Sequence, residues 1–218
     1  MATSYNSMRG SLESAAWQDY RASNTSMVLF YASDPVSLLP IREIPEEFPS
    51  DITPEPNYET GTYGYFGCNK SKVRNAFFKA KIRYILFMTK YAGTSVDHNG
   101  KYYITGYYRV NKVADVKRVH IRNLSEYSCL DEDNCYAMRA DQVRFVSIED
   151  AFELTDKVLA SWDYKTRITK QTRITLNDEQ TAVVLKYLDS KDNITDEYIA
   201  ETERLQPASE DSEDESEE

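Results

Sequence analysis

Tyr63, Tyr65 and Phe66 alternate with Gly61, Gly64 and Gly67, and a run of cations follows at Lys70, Lys72, Arg74, Lys79 and Lys81. An aromatic ring offers a flat face on which a nucleobase stacks, worth about 1–3 kcal/mol per base. Glycines let the backbone approach a ligand closely, and lysines and arginines meet phosphates in contacts that weaken as salt rises. Hydroxyl, amide and carboxylate groups at Ser33, Asp34, Asn69 and Asn75 have the donors and acceptors needed to read a base edge. Trp162 is a candidate for a second stacking face from the far end of the chain. A methylated base suits such a slot, because a methyl group gains most against apolar walls.

The charge distribution narrows this chemistry. The 218 residues carry a net charge of −10, yet residues 69–123 hold thirteen of the 26 basic residues against two acids, Asp97 and Asp115. A second basic strip, Lys165, Arg167, Lys170 and Arg173, extends the candidate track. The last thirteen residues, from Gln206, hold seven acids and no base. That tail either keeps the chain soluble or competes with nucleic acid for the basic face.

Other chemistries find little support. There is no Gly-x-Ser-x-Gly, no Walker loop and no His-Glu-x-x-His. The three cysteines (Cys68, Cys129, Cys135) form no Cys-x-x-Cys pair, and neither His98 nor His120 has a partner at metal-ligand spacing. No catalytic residue, metal or cofactor is expected. No run of about 18 apolar residues suggests a membrane span, and the first twenty residues lack an apolar signal core. The expectation is an intracellular protein, cytoplasmic or nuclear, with no membrane partner.

The elements that must position these residues read as follows. Residues 1–26 are expected to be a loose arm with a short helix around Leu12 to Tyr20. Met27–Ser33 is a compact apolar run and a strand. Prolines at 35, 40, 45, 49, 54 and 56 make residues 34–60 a long loop. Lys70–Ala80 is a basic helix with Val73 and Phe77 on its apolar face. Tyr84–Tyr91, Tyr102–Val110 and Val116–Ile121 are strands, the first two joined through the Asp97-His98-Asn99-Gly100 turn. Cys135–Met138 and Val143–Val146 add strand. Ser147 caps a helix over Ile148–Trp162, residues 165–175 are a basic strand or linker, Asn177 caps a helix to Ser190 with Gln180 closing the capping box, and Ile194–Leu205 is a further helix. The fold class is α+β: a small curved sheet or barrel with flanking helices. The division is an arm over 1–26, a domain over 27–162, basic strand and packing helices over 163–205, and a disordered acidic tail over 206–218.

Three patches in this order resemble the EVE family of PUA-like domains, relatives of the YTH and ASCH folds. LFYASDP at 29–35 is similar to the family's opening strand and turn, with Ser33, Asp34 and Pro35 at the turn. FGCNKSKVRNAFFKAK at 66–81 is similar to its loop and helix, with Gly67, Arg74 and Asn75 on matching positions. The pair RYILFMTKY and YYITGYYRVNKVADV resembles its strand pair, with Phe87, Gly106 and Ala114-Asp115 at the marked places. The likeness spans roughly residues 27–150. It implies a PUA-like barrel with a concave pocket that receives a modified base in RNA or DNA. Two rival classes stay open: an interaction or scaffolding protein that uses the basic face, the C-terminal helices or the acidic tail to hold a protein partner, and a small enzyme acting on free nucleotides.

Overall fold

Val28, Leu86, Met88 and Tyr107 are buried on one side of a sheet, while Met27, Leu29, Ile85, Phe87 and Tyr108 are buried on the other. Strands with both faces covered read as continuous apolar runs rather than alternating ones, which is how MVLF and ILFM read here. The computed structural model describes residues 17–31, 33, 56, 61–63, 77, 79–115 and 136–205. Among them, eight strands form one mixed sheet: β1 (Gln18–Asp19), β2 (Ser26–Phe30), β3 (Thr62–Tyr63), β4 (Tyr84–Lys90), β5 (Tyr102–Asp115), β6 (Tyr136–Phe145), β7 (Phe152–Glu153) and β8 (Arg173–Leu176). The main path runs β3-β6-β5-β4-β2-β8, with β1 and β7 also paired to β5. The β2–β4 pair is parallel and the other pairs are antiparallel. The protein is therefore α+β.

Bulges bend the two long strands. The β4–β5 register shifts between Phe87 and Met88, and the β5–β6 register shifts around Val110. An extra residue in one strand of a pair increases local twist and bend, so these irregularities favour a curved sheet. Gly106 sits on the central strand of three, β4, β5 and β6. It is paired with Phe87 on one side and Phe145 on the other, and a Cβ there would overlap the Arg144 carbonyl and the Phe145 ring.

Helix α1 (Asp156–Ser161) and helix α2 (Asp178–Asp189) cover the face of Val28 and Leu86, through Leu159, Val184 and Leu188. Helix α3 (Thr195–Leu205) packs Tyr198 and Ile199 on the opposite face, which Phe77 also covers. The sheet thus has an α2 face and a Phe77 face. Among the described residues, no helix is long and apolar enough to cross a membrane.

Several elements differ from the sequence expectation. The last ten residues of the arm are bound rather than loose: Gln18 and Asp19 pair with Val113 and Lys112, and the Tyr20 ring stacks on Phe77 at 5.8 Å. The helix expected over Ile148–Trp162 is broken. Ser147–Asp150 makes one turn, Phe152 and Glu153 then pair with Ile104 and Tyr103, and Thr155 caps α1 by accepting the Val158 amide at 3.2 Å. The backbone of β5 offers ladder bonds that the helix would forgo. The two strands expected around 135–138 and 143–146 are one strand, β6. Of the helix expected over Lys70–Ala80, Phe77 and Lys79 are described and helical. The strand expected over Val116–Ile121, the tail from 206, and the loop 34–60 apart from Pro56 lie outside the described residues.

Candidate nucleic-acid interface

Among the described residues, the candidate surface centres on the end of the basic helix. Phe77 is fully buried against the sheet, and two residues later Lys79 is exposed. Lys81 follows with φ of 51°, in the left-handed region that ends many helices. The reversal sends Ile82 back into the core, where its amide bonds the Phe77 carbonyl at 3.1 Å, and leaves Lys81 exposed. The Lys81 carbonyl accepts the Ser23 amide at 2.8 Å, and the Ala80 carbonyl accepts the Thr25 hydroxyl at 3.2 Å. Both cations therefore stand on a backbone clamped to the segment that enters β2.

Arg83, beside them, has a different task. Its guanidinium donates to the Ala22 carbonyl at 3.1 Å, and its Nε is buried. It fastens the arm and holds positive charge near Tyr20. Burial pushes the Tyr20 hydroxyl up to about 12, and the Arg83 charge opposes that shift.

Ser33 lies at a bridge beyond β2 and pairs its hydroxyl with Thr89 at 2.6 Å. When the Thr89 hydroxyl donates to the Tyr31 carbonyl, 3.4 Å away, Ser33 donates to Thr89. The Ser33 oxygen then keeps its acceptor capacity for a ligand. Tyr31 is itself tied to Thr105 at 3.0 Å, so the Ser33 position is backed by a chain of hydroxyls.

Gly61 begins the tyrosine loop with φ of 61°, and its carbonyl accepts the Ala140 amide at 2.8 Å. Tyr63 pairs through its backbone with Met138, so the loop leaves the sheet at an edge strand. Asp34, Tyr65, Phe66, Asn69, Lys70, Lys72, Arg74 and Asn75 lie outside the described residues.

Trp162 does not share this surface. Its ring stacks on Phe152 at 6.2 Å with a 6° interplanar angle, and Phe152 pairs with Ile104 on the α2 face. Ser33 reaches Thr89, one position along β4 from Met88, and therefore the opposite face. The sheet stands between them, so Trp162 is removed as a wall of the same pocket. Tyr103, Tyr107 and Tyr108 are buried members of the core.

Lys90 is a cation that sequence reasoning did not single out. The β4–β5 register sets it opposite Tyr102, with its ammonium 5.9 Å from the ring centroid. Only the register brings the two together, and no local motif marks it. His98 sits in the β4–β5 hairpin with Nδ1 2.9 Å from the Tyr103 hydroxyl. Among the described residues, no group of three His, Cys, Asp or Glu side chains is placed to hold a metal.

No family model, curated protein or solved structure matches this chain.

Proposed function

We propose that this protein is a nucleic-acid-binding module of PUA-like, EVE type, in which the tyrosine loop receives a base, modified by methylation, and the basic helix holds the flanking phosphates. The observation that carries the reading is the helix end: Phe77 buried, with Lys79 and Lys81 exposed on a clamped backbone. Fixed cations that follow a glycine- and tyrosine-rich segment in the chain combine the electrostatic and stacking parts of single-strand recognition. The curved mixed sheet supports the same reading, because it brings β2, with Ser33 beyond it, and the helix end onto one face. The confinement of thirteen bases to residues 69–123 of an acidic chain adds to it.

The test is a binding panel of single- and double-stranded RNA and DNA, each with and without a methylated base, at two salt concentrations. The expected result is binding that weakens steeply with salt and prefers one methylated oligonucleotide, with Tyr65→Ala losing about tenfold or more in affinity. No binding to any member, or binding only to acidic peptides, would overturn the proposal in favour of a protein-interaction role.

A further inference from the structure

Between α1 and β8 the chain makes a loop, residues 163–172, that carries Lys165, Arg167 and Lys170 and the single acid Asp163. The three cationic side chains are exposed, yet the backbone beneath them is fixed. Ile168 is buried in the core on the α2 face, and Tyr102 donates its hydroxyl to the Ile168 carbonyl at 3.4 Å. Thr172 is buried and takes the Thr169 amide at 2.7 Å and the Tyr164 hydroxyl at 3.3 Å. Cations on an anchored backbone lose less freedom on binding than cations on a loose one. Lys165 pairs with Asp163 at 3.0 Å, but these side chains are 83% and 86% exposed, so water screens the pair and a phosphate can compete for the ammonium. Lys90, over the Tyr102 ring, adds a fourth cation beside the loop's anchor point.

This set lies on the α2 face, whereas Phe77, which anchors the helix of Lys79, lies on the other. The two are linked at the β8 edge. Arg173 pairs with Leu29, and because Ile174 and Leu176 are buried on the α2 face, Arg173 points to the Phe77 face. A strand of phosphates that touches both sets by way of Arg173 turns around that edge. Duplex DNA has a persistence length of about 50 nm and resists such a turn; a single strand makes it readily.

We propose that loop 163–172, together with Lys90, is a second phosphate-binding surface for single-stranded nucleic acid, reached by a strand that passes around the β8 edge from the helix-end cations. This rests on the nucleic-acid reading above. The experiment uses the full chain, a K165Q/R167Q/K170Q variant and a K79Q/K81Q variant, with a labelled single strand of about 20 nucleotides, a strand of about 5 and the duplex of the same sequence. Circular dichroism melting of each variant checks the fold. The expected result is that the loop variant lowers the slope of log K against log salt by about 2 on the long strand. It has little effect on the short strand, and the duplex binds more weakly than the single strand. An unchanged slope in the loop variant, while K79Q/K81Q still weakens binding, would overturn the second surface and leave the first reading standing. Equal binding of the duplex would overturn the turn around the edge. Wild type that holds no oligonucleotide, or that holds only a peptide of residues 206–218, would overturn both.

Discussion

The Tyr107 hydroxyl donates to Asp189 Oδ1 at 2.7 Å, tying the middle of β5 to the last residue of α2. Gln142 Nε2 donates to the same hydroxyl at 2.8 Å. From β6, Arg144 donates to the Leu188 carbonyl at 3.0 Å and to the Asp189 and Lys191 carbonyls. A helix end leaves carbonyls without intrahelical partners, and a cation there meets both the hydrogen-bond need and the dipole. α2 is therefore held to the sheet by polar groups at its end as well as by Val184 and Leu188 beneath it. Tyr107→Phe is expected to cost about 1–2 kcal/mol in chemical denaturation, the range for one buried hydroxyl with two partners. Arg144→Met is expected to cost more, because several carbonyls lose their donor together. Wild-type stability in both variants would contradict this account of how α2 is held.

Alkaline pH acts on a set of tyrosine hydroxyls that burial holds in the protonated form. Burial pushes the Tyr20 and Tyr198 hydroxyls up to about 12, and burial with the Asp189 bond raises Tyr107 as well. In each case the folded value lies above the ordinary value of 10.0, so folding favours the protonated form. This contribution is whole below about pH 10 and is lost as pH rises through the folded values. Thermal unfolding midpoints are expected to fall as the pH is raised above about 10. The fall should be shallower in a Tyr20→Phe/Tyr198→Phe double variant, and an equally steep fall there would remove these two groups as its cause.

Two glycines should respond differently to alanine. At Gly106 a Cβ meets the Arg144 carbonyl and the Phe145 ring, so the β5–β6 pair must open to admit it. The expected cost is about 3 kcal/mol, at the upper end for overpacking a tight site. Gly100, at φ of 81° in the β4–β5 hairpin, has no atom within 4 Å of such a Cβ. Only backbone strain opposes alanine there, about 1–2 kcal/mol. Comparison of the two denaturation midpoints checks the ranking.

Charge removal at the helix end should act on binding and leave stability alone. Lys79 and Lys81 are exposed, and the clamping bonds are made by the Ala80 and Lys81 carbonyls rather than by the lysine side chains. K79Q/K81Q is expected to lower the salt slope of oligonucleotide binding by about 1.5 while the melting temperature stays within a degree or so. A drop in melting temperature with an unchanged slope would assign these residues to the fold instead.

Local chemistry made some elements legible from sequence and non-local pairing hid others. Asn177 and Gln180 form the capping box read from their spacing, with Gln180 N to Asn177 Oδ1 at 2.9 Å and Asn177 N to Gln180 Oε1 at 3.0 Å. The Asp97–Gly100 turn joins β4 to β5 as expected, because Gly100 supplies the positive φ. The helix over 148–162 failed for the opposite reason: its cap and apolar spacing were local, while the competing bonds from Tyr103 and Ile104 come from about fifty residues away. Residue type alone makes Trp162 a stacking candidate, while its ring partner Phe152 sits on β7, a strand with no local signal in the sequence. Lys90 and Tyr102 meet only through register, which one sequence does not specify by itself.

Ultraviolet cross-linking of a bound oligonucleotide, followed by mass mapping of the linked peptides, reports which side chains touch a base. A base held by the tyrosine loop is expected to give a cross-linked peptide that contains Tyr63, Tyr65 and Phe66. Cross-links confined to other segments, or none at oligonucleotide concentrations that saturate the protein, would contradict base binding by this loop.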